Sequence, residues 1–113
     1  EDPVRFFPSP GRLQTLRLPA GPGIRVETGY GEGCEITPWY DPMIAKVIAK
    51  GSTRAEAMDR LAQALESTVI EGVKTNIPFI GQVLRSAEFV RGEVHTGLGA
   101  EVLARAKKET IAA

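Results

Sequence analysis

One cysteine, one histidine and one tryptophan occur in 113 residues. The lone Cys34 excludes an internal disulfide, and Cys34 with His95 falls short of the four ligands of a structural zinc site. An unpaired thiol fits a reducing compartment. Neither sign of charge is in excess: 14 basic and 14 acidic side chains cancel. That excludes an overall field that would gather nucleic acid or a strongly charged partner. No apolar run approaches the roughly 20 residues of a membrane-crossing helix. The opening Glu1-Asp2-Pro3 lacks the basic and apolar regions of a signal peptide. Gly-x-Ser-x-Gly, Walker A and His-Glu-x-x-His patterns are also missing. The chain has no initiating Met, which suggests a piece of something longer. What is present, 42% hydrophobic and 25% charged residues, suits one small globular domain over residues 1–113.

The most informative stretch is Pro38-Trp39-Tyr40-Asp41-Pro42-Met43-Ile44-Ala45-Lys46. Prolines on either side restrict Tyr40 and Asp41 to extended backbone. An acid beside a phenol on a stiff corner is a candidate site; the competing reading is a tight turn whose aromatics cap a sheet. His95, just before a helical segment, reads more readily as structural than as catalytic. The glycine-rich loops at residues 21–23 and 29–33 lie between strands, and the first carries Pro22, so they read as turns and not as phosphate cradles.

Strands come first. Residues 13–18 alternate, residues 24–28 alternate again, and the two are expected to pair as a hairpin-like unit. Residues 34–37 form a short third strand. Residues 43–50 are apolar except for Lys46 and Lys50, and read as a buried strand in which Lys46 either snorkels to solvent or meets a carboxylate. Thr53-Arg54-Ala55-Glu56 is a capping box opening a helix that ends near Ser67. Ala57, Met58, Leu61, Ala64, Leu65 and Thr68 share one face, and Glu56 pairs with Arg60 on the other. Residues 69–73 are extended. Thr75 or Asn76 caps a helix with Pro78 in its first turn. Ser86 caps a short turn stopped by Gly92. A last helix runs from Leu98 to about Lys108, burying Leu98, Val102 and Leu103, with Lys107 and Lys108 placed to suit its dipole and residues 110–113 frayed. Phe6 and Phe7 are expected to tuck under the core as an arm. This order predicts an α+β domain.

Read in order, Glu1-Asp2-Pro3, Phe7-Pro8-Ser9-Pro10-Gly11, Arg25-Val26-Glu27, Tyr40-Asp41-Pro42-Met43-Ile44-Ala45-Lys46 and Gly72-Val73-Lys74-Thr75-Asn76 resemble the C-terminal domain of biotin carboxylase. That component recurs in acetyl-CoA, propionyl-CoA, methylcrotonyl-CoA, pyruvate and urea carboxylases. The resemblance covers nearly the whole chain. It implies a small antiparallel β-sheet of rudimentary hybrid or barrel-sandwich type with helices packed on it, following an ATP-grasp core. It also implies a cytoplasmic ligase that uses ATP, magnesium (Mg2+) and bicarbonate to carboxylate biotin. Expected partners are that core, a biotin carboxyl carrier domain, a carboxyltransferase component and a second copy in a homodimer; no nucleic acid or membrane is implied.

The family's ATP lid, magnesium ligands, catalytic lysine and bicarbonate-binding arginine all precede the region matched here. So does the arginine of an Arg-x-Asn-Ala-Glu-Asp-Pro motif that this sequence meets at Glu1. The chain alone is therefore expected to be inactive and to serve as scaffold, pocket wall and interface. The resemblance gives Asp41 the role of orienting an upstream arginine, with Tyr40 beside it. It makes Arg25 an interface residue, and Thr96 and His95 part of the adenine pocket wall. Two departures bear on dimerisation: Pro22 replaces a large aromatic, and Ser67 stands where some members carry an interface glutamate. The alternative is a non-catalytic interaction or oligomerisation module with the same fold.

Overall fold

A computed structural model describes residues 1–112. Six strands and four helices follow one another: β1 (Gly11–Arg12), β2 (Thr15–Arg17), β3 (Ile24–Thr28), β4 (Glu35–Ile36), β5 (Ala45–Ala49), α1 (Arg54–Ser67), β6 (Val69–Glu71), α2 (Ile77–Arg85), α3 (Ala87–Arg91) and α4 (Leu98–Ala112). The expected α+β class is what forms. The strands make three antiparallel pairs, β1 with β4, β2 with β6 and β3 with β5.

The expected hairpin between residues 13–18 and 24–28 does not form. β2 pairs instead with the distant β6, placing Leu16 opposite Ile70, while β3 runs beside β5 from the Ile24–Ala49 pair to the Thr28–Ala45 pair. The intervening loop holds Pro19 and Pro22, whose fixed φ angles and missing N–H groups do not suit a tight two-residue hairpin turn. Leu13 is where the first strand breaks. Its N–H bonds the Cys34 carbonyl at 2.8 Å, and the next N–H, of Gln14, bonds the Glu71 carbonyl at 2.9 Å. The chain thus changes partner within one residue, and Leu13 turns inward until none of it is exposed.

The run read as a buried strand is half open. Along β5 the side chains alternate, with Lys46 and Ile48 facing outward. A two-stranded sheet has two faces and α1 packs on β5 and β3, so one face stays uncovered. Lys46 therefore reaches solvent directly, opposite Glu27.

α1 forms over the predicted span. The Thr53 hydroxyl accepts the Glu56 N–H at 3.2 Å, and the Glu56 carboxylate turns to Arg60 at 2.6 Å. Ala64 and Leu65 on its predicted face are buried. α2 carries Pro78 in its first turn; the Thr75 hydroxyl accepts the Ile77 N–H at 3.4 Å, whereas Asn76 makes no side-chain cap. Ser86 caps α3 through the Phe89 N–H at 3.3 Å, and Gly92 ends it in a left-handed conformation. α4 is longer than expected. Lys107 and Lys108 fall inside it and not at its end, so they sit away from the carbonyls that would favour them. Residues 110–112 belong to the helix, and Ala113 lies outside the described residues.

Leu13, Ile36, Ala64, Leu65, Leu84, Leu98 and Val102 form the buried core. Of the N-terminal aromatics only Phe6 tucks in, meeting Phe79 edge to face at 5.0 Å between centroids, while Phe7 is exposed. Phe6 reaches that ring from a positive φ of 59°. No described helix is long and apolar enough to cross a membrane.

Candidate functional site

The Tyr40-Asp41-Pro42 corner leads into β5 and opens on a cleft of about 570 Å3. The floor of the cleft is apolar, with Ile44 and Val47 from the β5 segment, Leu61 and Leu65 from α1, and Ile77 and Ile80 from α2. Its rim is polar, carrying Glu1, Asp41, Thr75 and Asn76. The local sequence explains the corner. Asp41 Oδ1 accepts the Met43 N–H at 2.8 Å, an Asx turn that Pro42 suits because its own N–H is missing. The turn leaves Tyr40 and Trp39 about four-fifths exposed and Met43 over half exposed.

On the other side of the corner lies a shallower depression of about 510 Å3, bounded by Glu27, Tyr40, Asp41 and Lys46. Asp41 stands between the two hollows. Arg25 is on β3, opposite Ile48 of β5, and its Nε meets Glu27 Oε1 at 2.6 Å with both side chains largely exposed. Arg25 lines neither hollow; what it shares with Tyr40 and Asp41 is that all three belong to the β3–β5 ladder or the segment leading into it.

His95 and Thr96 do not. They precede α4 and line neither hollow. His95 Nδ1 accepts the Gly97 N–H at 3.1 Å, and its Nε2 lies 3.5 Å from Glu101 Oε2. An imidazole that accepts at Nδ1 carries its proton at Nε2, so it can donate toward Glu101. In this chain the pair shapes the start of α4. Thr96 is exposed.

Reading residues one by one missed the clasp at the N-terminus. Asp2 Oδ1 accepts the N–H groups of Val4 at 2.9 Å and Arg5 at 2.8 Å, and Asp2 Oδ2 lies 3.5 Å from Lys74 Nζ. The Arg5 and Val4 amides, and then Lys74, hold this carboxyl below the usual range. An Asp followed by Pro was the available signal, since Asp side chains often bond the backbone two or three residues on.

The donor set bears on which groups the chain could hold. Among the described residues no cluster of three or more His, Cys, Asp or Glu side chains could hold a metal ion. A magnesium ion therefore does not fit the described residues on their own.

Residues 1–100 match the family described as the biotin carboxylase C-terminal domain. A biotin carboxylase of Halalkalibacterium halodurans is 52% identical over 96 residues, which are 85% of this chain and 21% of that protein. Biotin carboxylase 2 of Bacillus subtilis is 46% identical over 96 residues, covering 85% of this chain and 22% of that one. The biotin carboxylase domain dimer of Hydrogenobacter thermophilus 2-oxoglutarate carboxylase, solved with MgADP, ADP and bicarbonate, superposes with a TM-score of 0.86 at 40% identity, over 91% of this chain and 24% of that one. The chain thus spans about a fifth of the curated relatives it matches. With its fold, its order of motifs and this degree of identity in agreement, the chain belongs to the biotin carboxylase C-terminal domain family.

Proposed function

We propose that this chain is the C-terminal domain of a cytoplasmic biotin carboxylase, which uses ATP, magnesium and bicarbonate to carboxylate biotin held on a carrier protein. The observation that carries this reading is the open apolar cleft beside Asp41, in a chain that spans a fifth of its relatives. An apolar floor with a polar rim suits a surface that another part of the same polypeptide covers. The occupant is the ATP-grasp core, with the carrier domain and a carboxyltransferase component as further partners. The three short antiparallel strand pairs are compatible with a rudimentary hybrid barrel of the barrel-sandwich type.

In the whole enzyme, bicarbonate attacks the γ-phosphorus of ATP to give carboxyphosphate and ADP. Carboxyphosphate breaks down to carbon dioxide and inorganic phosphate, and the biotin ureido nitrogen, giving up its proton to that phosphate, attacks the carbon dioxide. No step of this runs through a metal or phosphate ligand of this chain. Its own residues position and enclose. Met43 pins one oxygen of Asp41, so the carboxylate can present its remaining lone pairs in a fixed direction to an arginine from the core. Tyr40 borders the same hollow. Arg25, on the outward face of β3, serves a homodimer contact. His95 and Thr96 contribute to the wall of the adenine pocket. A relative from Hydrogenobacter was solved as a dimer with MgADP and bicarbonate, the kind of partner and ligands this reading calls for.

The test is Asp41→Asn in the full-length protein. Asparagine keeps the Oδ1 that accepts from Met43, so the turn persists while the charge is lost. A charge-assisted hydrogen bond contributes about 1.5–3 kcal/mol, so biotin carboxylation should fall by about tenfold or more at an unchanged melting temperature. Unchanged turnover would reduce Asp41 to a turn-former. Bicarbonate-dependent ATP cleavage by the 113-residue chain alone would overturn the assignment of the chemistry to the core.

A further inference from the structure

A ribbon of paired strands has two outer edges, and the β3 edge is unblocked. Just beyond the Ile24–Ala49 pair, the Lys50 N–H donates to the Gly23 carbonyl at 2.7 Å. Hydrogen-bonded pairs alternate along an antiparallel ladder, so the next ones are Arg25 with Ile48 and Glu27 with Lys46. The backbone groups of Val26 and Thr28 therefore point away from β5. Among the described residues β5 is the only strand paired with β3, so no strand takes those groups up. Ile24 offers only its carbonyl to that edge, because its N–H turns back to the Gly21 carbonyl at 3.1 Å. No proline or bulge interrupts the Ile24–Thr28 run, although these are usual means of keeping an edge from joining another strand.

The side chains of β3 select what lies along that edge. Arg25 and Glu27 are exposed on one face, opposite in charge and on either side of Val26. A second β3 laid antiparallel, with Val26 facing Val26, puts each Arg25 directly opposite Glu27 of the other copy. The backbone agrees with that register: the two Val26 residues exchange their hydrogen bonds, and each Thr28 N–H meets an Ile24 carbonyl. A shift of one residue sets groups that point outward against groups that point inward. A shift of two residues keeps the hydrogen bonds but sets Arg25 against Arg25, or Glu27 against Glu27, and like charges directly opposite are destabilising. The edge of β5 has no such symmetry, since Lys46 and Ile48 flank Val47 there, and Ala45 and Val47 already line the cleft.

We propose that β3 is a self-complementary edge through which two copies of this chain join in one continuous sheet, β5–β3–β3–β5, with Val26 on the two-fold axis and each Arg25 paired with Glu27 of the second copy. The pairing rests on the reading of Arg25 as a homodimer contact. It adds to that reading the strand, the register and the partner of each charge. The Arg25–Glu27 bridge within one strand then becomes half of a closed ring of alternating charges across the axis. Contact between identical patches about a two-fold leaves no edge of β3 free, so assembly through it stops at a dimer.

The experiment is a charge reversal in the full-length protein, with the dimer Kd read by sedimentation equilibrium. Arg25→Glu sets two carboxylates opposite each other on both sides of the axis, and Glu27→Arg sets two guanidinium groups there. Either should raise the dimer Kd by about tenfold or more. Arg25→Glu combined with Glu27→Arg restores opposite charges across the axis and should return the Kd close to the wild-type value. A double reversal as weak as the single variants would overturn the pairing, because Arg25 would then answer to some other group of the second copy. A wild type that stays monomeric would overturn it too. The register has its own readout. With Cys34 replaced by Ser, Val26→Cys should give a disulfide-linked dimer under mild oxidation, since residues paired on the axis have Cα atoms about 5.5 Å apart. Thr28→Cys in the same background should not, since its two copies are offset by roughly 13 Å along the strands. Equal cross-linking at both positions, or at neither, would overturn the register. Neither readout depends on catalysis. Cross-linking through position 26 in a protein that carboxylates no biotin would sink the proposed function alone, and a monomeric biotin carboxylase would sink this contact alone.

Discussion

Gly72 and Gly92 both have positive φ, 107° and 78°, but only one is crowded. A Cβ at Gly72 would collide with the Arg12 carbonyl oxygen and come within 3.1 Å of the Gln14 nitrogen, whereas a Cβ at Gly92 meets nothing within 4 Å. Both obstacles at Gly72 are backbone atoms flanking Leu13, where the chain passes from β4 to β6. They cannot rotate away as a side chain would. Alanine at either site carries the strain of an unfavourable φ, about 1–3 kcal/mol. Both substitutions also restrict the unfolded chain to a similar extent, so that effect cancels in the comparison. Gly72→Ala adds an overpacking cost of about 1–3 kcal/mol. At a urea slope of about 2 kcal/mol per M, the extra cost lowers its unfolding midpoint by about 0.5–1.5 M relative to Gly92→Ala. Urea titrations of the two variants, followed by far-UV circular dichroism, give the answer. Equal midpoints at equal slopes would show that the strand crossing at Gly72 is loose, and the account of Leu13 as the fixed corner would fall with it.

Thr53→Ala should destabilise the chain by about 1 kcal/mol through loss of the hydroxyl that accepts the Glu56 N–H, with Thr53→Ser close to wild type in the same titration. Acid should weaken the α3–α4 junction, where Arg105 meets Glu88 at 2.9 Å. The Arg105 hydrogen bond holds the Glu88 carboxyl below its ordinary value of 4.5. A depressed carboxyl contributes stability above its unfolded pKa and loses it as pH falls below that value. The urea midpoint should therefore drop as pH is lowered through and below 4.5, and Arg105→Gln should flatten that part of the curve. An identical acid limb in the variant would show that the pair adds nothing.

Elements whose signals are local were legible from the sequence, and pairings were not. Thr53 with Glu56, Ser86 with Gly92 and Pro78 behind Asn76 each mark a helix end within four residues or so, and each helix stands where those marks place it. The partner of β2 depends on Ile70, far along the chain and beyond α1, and alternation in residues 13–18 carries no information about which distant strand lies beside it. β5 departs from its expected burial for a related reason. Its apolar Ile48 looks like core in one dimension, but only the two-stranded width of the sheet shows that its face is open. Of the site residues, Asp41 and Tyr40 were visible as a corner, and the family resemblance singled out Arg25. Glu1, Thr75 and Asn76 on the cleft rim were not, because separate segments of the chain bring them together with Asp41.

The uncovered face of the β3–β5 ladder argues for a partner there independently of the family. In register, Arg25 faces Ile48 and Glu27 faces Lys46. Arg25 meets Glu27 along its own strand, so the face carries one ion pair and the Lys46 cation, and Ile48 sits within it more than one-third exposed. A face evolved only for water would have little use for Ile48, or for Trp39, Tyr40 and Met43 on the adjoining corner. Single exposed apolar residues are ordinary, whereas a run of them rimmed by paired charges is the composition of an interface. The apolar cleft on the other side of Asp41 has the same character. Asp41 therefore stands between two surfaces that both lack a cover, and its carboxylate can meet a cation brought by either one. On the function proposed above, the Asp41–Pro42 turn lies where domain packing and a dimer contact would meet.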